Sequence, residues 1–309
     1  MRLVFMGTPA FAVPCLRRLA ASSHQVVAVV TNPDRPRGRG QRLAAPPVKE
    51  VALALGLEVL QPAALDEPEL VDRLAEYQPD LFAVVAFSIL PRPLLELPRL
   101  GSVNLHPSLL PAYRGAAPII WAVIRGECET GLSTFLLNPR VDAGDLLLQE
   151  RVAIDPEETA GELEARLSPL GADLLLQTVD RLAQGSIAPR RQDQSRVSRA
   201  PKLQKEDGRL DWHQPTEALR NHIRGANPMP GAFTEWEGGL LKVHRSRPAD
   251  YRGKVPGTAL LADPRQGLVV ATGDGALLLT EVQPAGKPPM EGSAFVRGYP
   301  VQVGTRLGR

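Results

Sequence analysis

Three short polar groups in the first half of the chain carry residue types suited to moving a proton or holding a developing negative charge. In Ser102-Val-Asn104-Leu-His106-Pro, alternation along an extended strand sends Val103 and Leu105 to one face and Asn104 with His106 to the other. An amide donor beside an imidazole can bind an oxyanion and relay a proton. Asn138-Pro-Arg-Val-Asp142-Ala-Gly-Asp145 is a polar turn between the apolar runs GLSTFLL and LLLQERVAI, and it can return a carboxylate to the same edge. Gly7-Thr8-Pro9 ends the first apolar run and lacks the G-x-G-x-x-G spacing of a dinucleotide site. Each group also has a plain structural reading. A His at a strand end can be a hydrogen-bonded structural residue, Asn104 can bond loop backbone, and Asp142 and Asp145 are ordinary turn formers. The histidines at 24, 106, 213, 222 and 244 have no ligand spacing near Asp142, so no metal is expected.

A fourth feature, Asn32 to Leu43, sets Arg35, Arg37, Arg39 and Arg42 among Gly and Pro. Ordinary strand–helix connections take about 2–6 residues, so this one is oversized. Four guanidinium groups on such an arm suit nucleic-acid phosphates. An unstructured, solvated insert is the alternative.

The elements that must position these groups alternate in period. RLVFM (2–6), VVAVVT (26–31) and DLFAVVAF (80–87) are apolar runs with little polar alternation, as in strands buried on both faces. Helices are expected from Thr8-Pro9 to about Ala21, over 47–55, over 67–76, and as a long closing helix over 159–183. Further extended runs are expected at 57–60 and 102–105. Strand and helix in alternation predict an α/β fold with an open, doubly wound, mostly parallel Rossmann-like sheet, whose ligands sit at the carboxyl ends of the strands. After Pro230 the pattern changes to short runs, GAFTEW, LLKVHRS, GTALLAD, GLVVATGDG and ALLLTEVQPAG, separated by turn residues. These predict a small C-terminal β-barrel.

Length and charge agree with two units. The 309 residues are 43% apolar and 23% charged with a net charge of +2, which excludes an acidic disordered chain. Residues 1–189 carry 17 basic and 22 acidic side chains, and residues 190–309 carry 19 and 12. The basic second half favours a polyanion. The expected division is 1–189 as a catalytic domain, 190–206 as a linker and 207–309 as the barrel. The apolar stretch Leu81 to Leu90 is half of what a spanning helix needs, so no membrane partner is expected. MRLVFMGTP reads as a first strand and turn rather than a secretory signal. Cys15 and Cys128 form no C-x-x-C and suit a reducing, cytoplasmic setting.

Asn104-Leu-His106-Pro-Ser-Leu-Leu-Pro111-Ala-Tyr-Arg-Gly-Ala-Ala-Pro118 resembles the signature of the 10-formyltetrahydrofolate-dependent formyltransferases. Val141-Asp142-Ala-Gly-Asp145 resembles their second signature. The resemblance extends through Phe5 to Pro9, Pro33 to Gly40, Lys202 to Trp212, Arg224 to Pro228 and Ala271 to Gly275, in order over nearly the whole chain. It departs at Arg199, where the family often has an aromatic residue, and at Met229, where it often has Trp. What the resemblance implies is a doubly wound catalytic domain followed by an OB-like barrel. It implies formyl transfer from 10-formyltetrahydrofolate, as co-substrate, to initiator methionyl-tRNA, by a monomer that needs no metal. Asn104, His106 and Asp142 would be the catalytic set. Ser108, Leu109, Leu110 and Pro111 would line the folate site, with Phe87, Ser88, Ile89 and Leu90 as neighbours. Arg35, Arg37, Arg39, Arg42 and Lys202 would meet the tRNA. Formyl transfer to a sugar-nucleotide amine or to phosphoribosylglycinamide, and RNA binding without catalysis, are the competing readings. The Arg-rich arm and basic second half count against phosphoribosylglycinamide, the arm and the Lys202 to Trp212 stretch count against a sugar nucleotide, and the presence of all three catalytic residue types counts against the last.

Overall fold

The computed structural model describes residues 1–37, 42–237, 239–251 and 255–308, the side chains of residues 37 and 42 excepted. In chain order the first elements are β1 (Arg2–Gly7), α1 (Val13–Ala20), β2 (Gln25–Val30), β3 (Arg35–Arg37), β4 (Arg42–Ala44), α2 (Pro47–Ala54), β5 (Val59–Leu60) and α3 (Pro68–Glu76). They continue with β6 (Leu81–Val85), α4 (Arg92–Glu96), β7 (Ser102–His106), α5 (Pro118–Ile124), β8 (Glu129–Leu136), β9 (Leu146–Ala153) and α6 (Ala160–Ala183). The remainder comprises α7 (Thr216–Gly225), β10 (Phe233–Trp236), β11 (Gly239–Pro248), β12 (Ala259–Asp263), β13 (Gly267–Ala271), β14 (Ala276–Pro284), β15 (Met290–Glu291) and α8 (Gly292–Gly298). Two compact units result. One comprises Met1–Ala116, Thr130–Ala153 and Glu164–Ala200; the other comprises Ala117–Glu129, Ile154–Leu163 and the chain from Pro201 onward.

The first unit is built on a seven-stranded sheet in the order β5-β2-β1-β6-β7-β8-β9. Pairing from β5 through β7 is parallel, and β8 returns antiparallel to β7. Every residue of β6 is buried, and Leu3 to Met6 of β1 have no exposed surface, which is why those runs lack polar alternation. The chain order reverses between β1 and β6, so their carboxyl ends form the switch point at which such sheets take ligands. His106 ends β7, the next strand along.

The first helix differs from the sequence expectation. Ala10–Ala12 form a 3₁₀ turn, and α1 begins only at Val13, with Pro14 in its first turn. Proline has no N–H to donate and its ring crowds the preceding turn, so an α-helix entering from Ala10 would be broken there. Thr8 consequently caps nothing in the helix, and its Oγ1 accepts the Asn32 N–H at 3.3 Å.

In the second unit a curled antiparallel sheet follows the path β10-β11-β14-β13-β12, with β15 on β14. Its core gathers Leu210, Trp212, Leu219, Ile223, Val243, Leu268, Leu279 and Phe295. The Trp212 indole N–H reaches Thr234 Oγ1 at 3.0 Å. The free edges of the curl, β10 and β12, are joined by the C-terminal segment. Ala259 N donates to Thr305 O and Leu307 N to Gly257 O, both at 2.8 Å, while Gly308 N donates to Glu235 O at 2.7 Å. A half-barrel thus avoids presenting two open edges. Leu307, 4% exposed, inserts into the core beneath this seam. Truncating it to Ala should cost about 2–4 kcal/mol. All three tryptophans (121, 212 and 236) belong to this unit, so a urea transition followed by Trp fluorescence should move to lower denaturant; an unmoved midpoint would show that the seam contributes nothing.

Candidate active site

Alternation along β7 leaves Val103 and Leu105 fully buried in the sheet core. Asn104 and His106 share the other set of positions, in register with Phe135 and Ser133 of β8. Asn104 is half-buried, and among the described residues nothing hydrogen-bonds its side-chain amide. His106 is 4% exposed, and its Nε2 donates to the Tyr113 carbonyl at 2.9 Å. Its Nδ1 lies 3.8 Å from Asp142 Oδ2. The structure therefore brings His106 and Asp142 together across 36 positions of sequence and sets Asn104 two residues before His106 on one strand.

Asp142 is aimed by its backbone. It adopts a left-handed conformation, φ 49°, which Asp tolerates better than most side chains. Its Oδ2 accepts the Gly115 N–H at 2.8 Å. Two residues on, a Cβ at Gly144 would lie 1.6 Å from the Leu136 carbonyl oxygen, so only glycine lets the turn pack against β8. The two turn carboxylates separate: Asp142 is partly buried, while Asp145 is exposed. Gly115 is itself placed by a second segment. Arg114 N donates to Ser198 O at 2.9 Å and Ala200 N donates to Arg114 O at 2.7 Å. A Cβ at Gly115, φ 125°, would meet Ala200 O at 2.5 Å.

The residues expected around a folate divide into core and rim. Ser108 is buried, and its Oγ donates to Ala112 O at 2.7 Å. Leu110 is 3% exposed and packs with Phe135 and Leu146, so its side chain belongs to the core. Leu109 and Pro111 are half-buried. At the end of β6 the chain turns at Ala86, φ 48°. Phe87 packs against the core and Leu90 enters it, whereas Ser88 is exposed and Ile89 is 72% exposed. Sequence reasoning missed three residues that hold this rim in place. Ser133 Oγ donates to Ser108 O and accepts Leu110 N–H; Gln149 Nε2 donates to Leu110 O. Gln192 binds the Asp142 turn. None carries a motif signal, since each acts through main-chain groups of residues distant in sequence.

The formyl transferase family model matches residues 1–179, and the formyl transferase C-terminal domain model matches residues 202–300. Methionyl-tRNA formyltransferase of Moorella thermoacetica is 49% identical over 310 residues, covering 100% of this chain and 99% of that protein. The chain belongs to the methionyl-tRNA formyltransferase family. The relative from Citrifermentans bemidjiense is 46% identical, over 100% of this chain and 97% of its own. Among solved structures, WlaRD, a sugar 3N-formyl transferase in the presence of dTDP and 5-N-formyl-THF, superposes with TM-score 0.68 at 17% identity, over 93% of this chain and 99% of that one. HypX from Aquifex aeolicus in complex with tetrahydrofolic acid gives 0.63 at 19%, over 96% of this chain and 47% of that one. At those identities the likeness establishes the fold alone.

In the arm after β2, β3 and β4 pair antiparallel, Arg35 with Ala44 and Arg37 with Arg42, which favours the arm over the alternative of an unstructured insert for these residues. Arg35 is exposed, as is Lys202. Arg39 lies outside the described residues. No helix among those residues is long and apolar enough to cross a membrane. The arm's foot is fixed by Asp34, which accepts Lys49 Nζ at 2.8 and 2.9 Å and Gln61 Nε2 at 2.8 Å. These hydrogen bonds, those of Lys49 first, hold the Asp34 carboxyl below its ordinary value. A depressed carboxylate stabilises its surroundings above the ordinary value and loses that effect only as pH falls through the lowered one. A side-chain NMR titration should therefore find Asp34 protonating below the usual Asp range, and Lys49→Met, which leaves the Gln61 hydrogen bond in place, should raise it towards that range. An Asp34 that titrates ordinarily in the unaltered protein would show that the foot is not held this way.

Proposed function

We propose that this protein transfers the formyl group of 10-formyltetrahydrofolate to the α-amino group of initiator methionyl-tRNA. The observation that carries the reading is the approach of Asp142 to His106 beside the uncommitted amide of Asn104, at the carboxyl edge of a sheet in a chain of this family. The α-amino group, with an ordinary pKa near 8, attacks the formyl carbon in its neutral form. A C–N bond forms to the methionyl nitrogen, the bond to N10 breaks, and the proton shed by the amine ends on N10. Asn104 offers its NH₂ to the oxyanion of the tetrahedral intermediate. His106 faces only acceptors, the Tyr113 carbonyl on one side and the Asp142 carboxylate on the other. The ring gives its Nε2–H to the Tyr113 carbonyl, and a proton on Nδ1 faces the Asp142 carboxylate and would be shared with an oxyanion formed at the rim. Asp142 orients the ring and passes the amine's proton on through water.

The formyl donor would lie between the 87–90 loop and the 108–111 turn. Ile89 and Leu109 would offer apolar surface, with the buried Ser108 and Leu110 shaping the wall. Arg35, Arg37, Arg39 and Arg42 on the arm, with Lys202, would meet tRNA phosphates. Residues 1–189 would act as the catalytic domain, 190–206 as the connection and 207–309 as the tRNA-binding domain of a cytoplasmic monomer. Labelled 10-formyltetrahydrofolate offered with charged initiator tRNA, charged elongator tRNA and an amino-sugar nucleotide tests the acceptor directly: label should pass to the initiator tRNA, and passage to the sugar nucleotide alone would refute the assignment.

Losing one oxyanion donor typically costs 10²–10³ in turnover. Asn104→Ala and His106→Ala should each fall by about that factor with circular dichroism unchanged, and near-normal turnover in either would remove that residue from the set. Phosphate contacts release counterions, so log K for tRNA should fall linearly with log salt, by about 0.9 per contact. Arg35→Ala should reduce that slope by about 1; an unchanged slope would take Arg35 off the tRNA.

A further inference from the structure

Gln192 lies in a polar stretch that carries no apolar period, yet it is only 6% exposed and both ends of its amide are committed. Its Nε2 donates to Asp142 O at 2.9 Å and to Gly144 O at 2.7 Å. Its Oε1 accepts Arg114 Nε at 3.1 Å and Arg114 Nη2 at 2.6 Å. One side chain therefore ties the turn that carries Asp142 to the segment whose Gly115 N–H donates to the Asp142 carboxylate.

We infer that Gln192 is a positioning residue for formyl transfer, setting the Asp142 carboxylate against His106 by clamping the Asp142–Gly144 carbonyls to the Arg114 guanidinium. The inference rests on the catalytic reading of Asp142 given above. The chemistry singles out an amide. The turn presents two carbonyl oxygens, which only accept, and the guanidinium presents N–H groups, which only donate. A single side chain that serves both must donate at one atom and accept at the other, and its length must span the gap. Glutamate keeps the acceptor and loses both donors; methionine keeps the length and loses both functions. The clamp also matters for Arg114. Burial lowers the basicity of its guanidinium while the nearby Asp142 charge opposes that effect. Fixing it on Gln192 Oε1 keeps this cation beside the Asp142 turn without a direct ion pair that would draw the carboxylate away from His106.

A main-chain clamp fixes geometry rather than substrate affinity, and a misplacement of about 1 Å can cost up to 10²-fold in rate. Gln192→Met should lower kcat by about 10- to 100-fold, with KM for 10-formyltetrahydrofolate and for methionyl-tRNA within about threefold of normal. Should Gln192→Met fail to fold, Gln192→Glu carries the same comparison. The decisive arm is a cycle with Asp142→Asn. If Gln192 acts through Asp142, adding Gln192→Met to Asp142→Asn should slow the enzyme by no more than about twofold further. Normal kcat in the Gln192 variants, losses that multiply with Asp142→Asn, or a change confined to KM would each overturn the inference while leaving the catalytic reading intact. Normal kcat in Asp142→Asn itself would overturn the catalytic reading, and this inference with it.

Discussion

A carboxylate with 13% of its side chain exposed must find donors within the protein, and Asp142 finds its nearest in the Gly115 N–H at 2.8 Å. That single bond imposes conditions on three distant stretches of chain. The 141–145 turn must enter left-handed space at Asp142 and tolerate nothing larger than hydrogen at Gly144. The 111–115 segment must hold Gly115 where its N–H points at the carboxylate, which it does by pairing with residues 198–200. Strand β7 must end so that His106 faces the same oxygen, 3.8 Å away. The rest of the first unit, a sheet buried on both faces with its switch point at the carboxyl edge, is the rigid frame that makes those conditions compatible.

Buried polar groups stabilise only when they are paired, and a half-satisfied network costs more than an apolar one. The rim follows that rule closely. Ser133 bridges Ser108 and Leu110, Gln149 takes the Leu110 carbonyl, and the Tyr113 carbonyl takes His106 Nε2. Asn104 is the contrasting case, a half-buried amide with no hydrogen-bond partner among the described residues. The arm at the end of β2 shows the same division, with its foot tied by Asp34, Lys49 and Gln61 and Arg35 left to solvent.

Much of this was legible from residue order. Two-residue alternation in SVNLH put Asn104 and His106 together, and the apolar runs either side of Asn138 to Asp145 marked a turn that returns to the sheet edge. The short runs after Pro230 gave the curled second sheet nearly strand for strand. What was not legible depended on contacts that leave no periodic trace. Pro14 delayed the first helix because its effect falls on carbonyls one turn earlier, and a Thr8 cap looked equally good on paper. The β3–β4 pairing hid in a Gly- and Pro-rich segment whose composition resembles an insert. The hydrogen bonds of the 304–308 seam run between backbone groups, which leave no mark on residue type. Leu110 sat in the core rather than facing outward, because the apolar side chain of a turn has two environments open to it and sequence does not choose between them.

Formyl transfer by this geometry requires the His106 imidazole and the Asp142 carboxylate to act as one unit. Single-turnover formyl transfer to methionyl-tRNA, measured for His106→Ala, for Asp142→Ala and for the two combined, tests this directly. Groups that work through one another lose their effect together, so the combined variant should transfer formyl within about threefold of the rate of His106→Ala alone. Losses that multiply would mean that the two side chains serve separate purposes and that their approach in the structure is incidental to the chemistry.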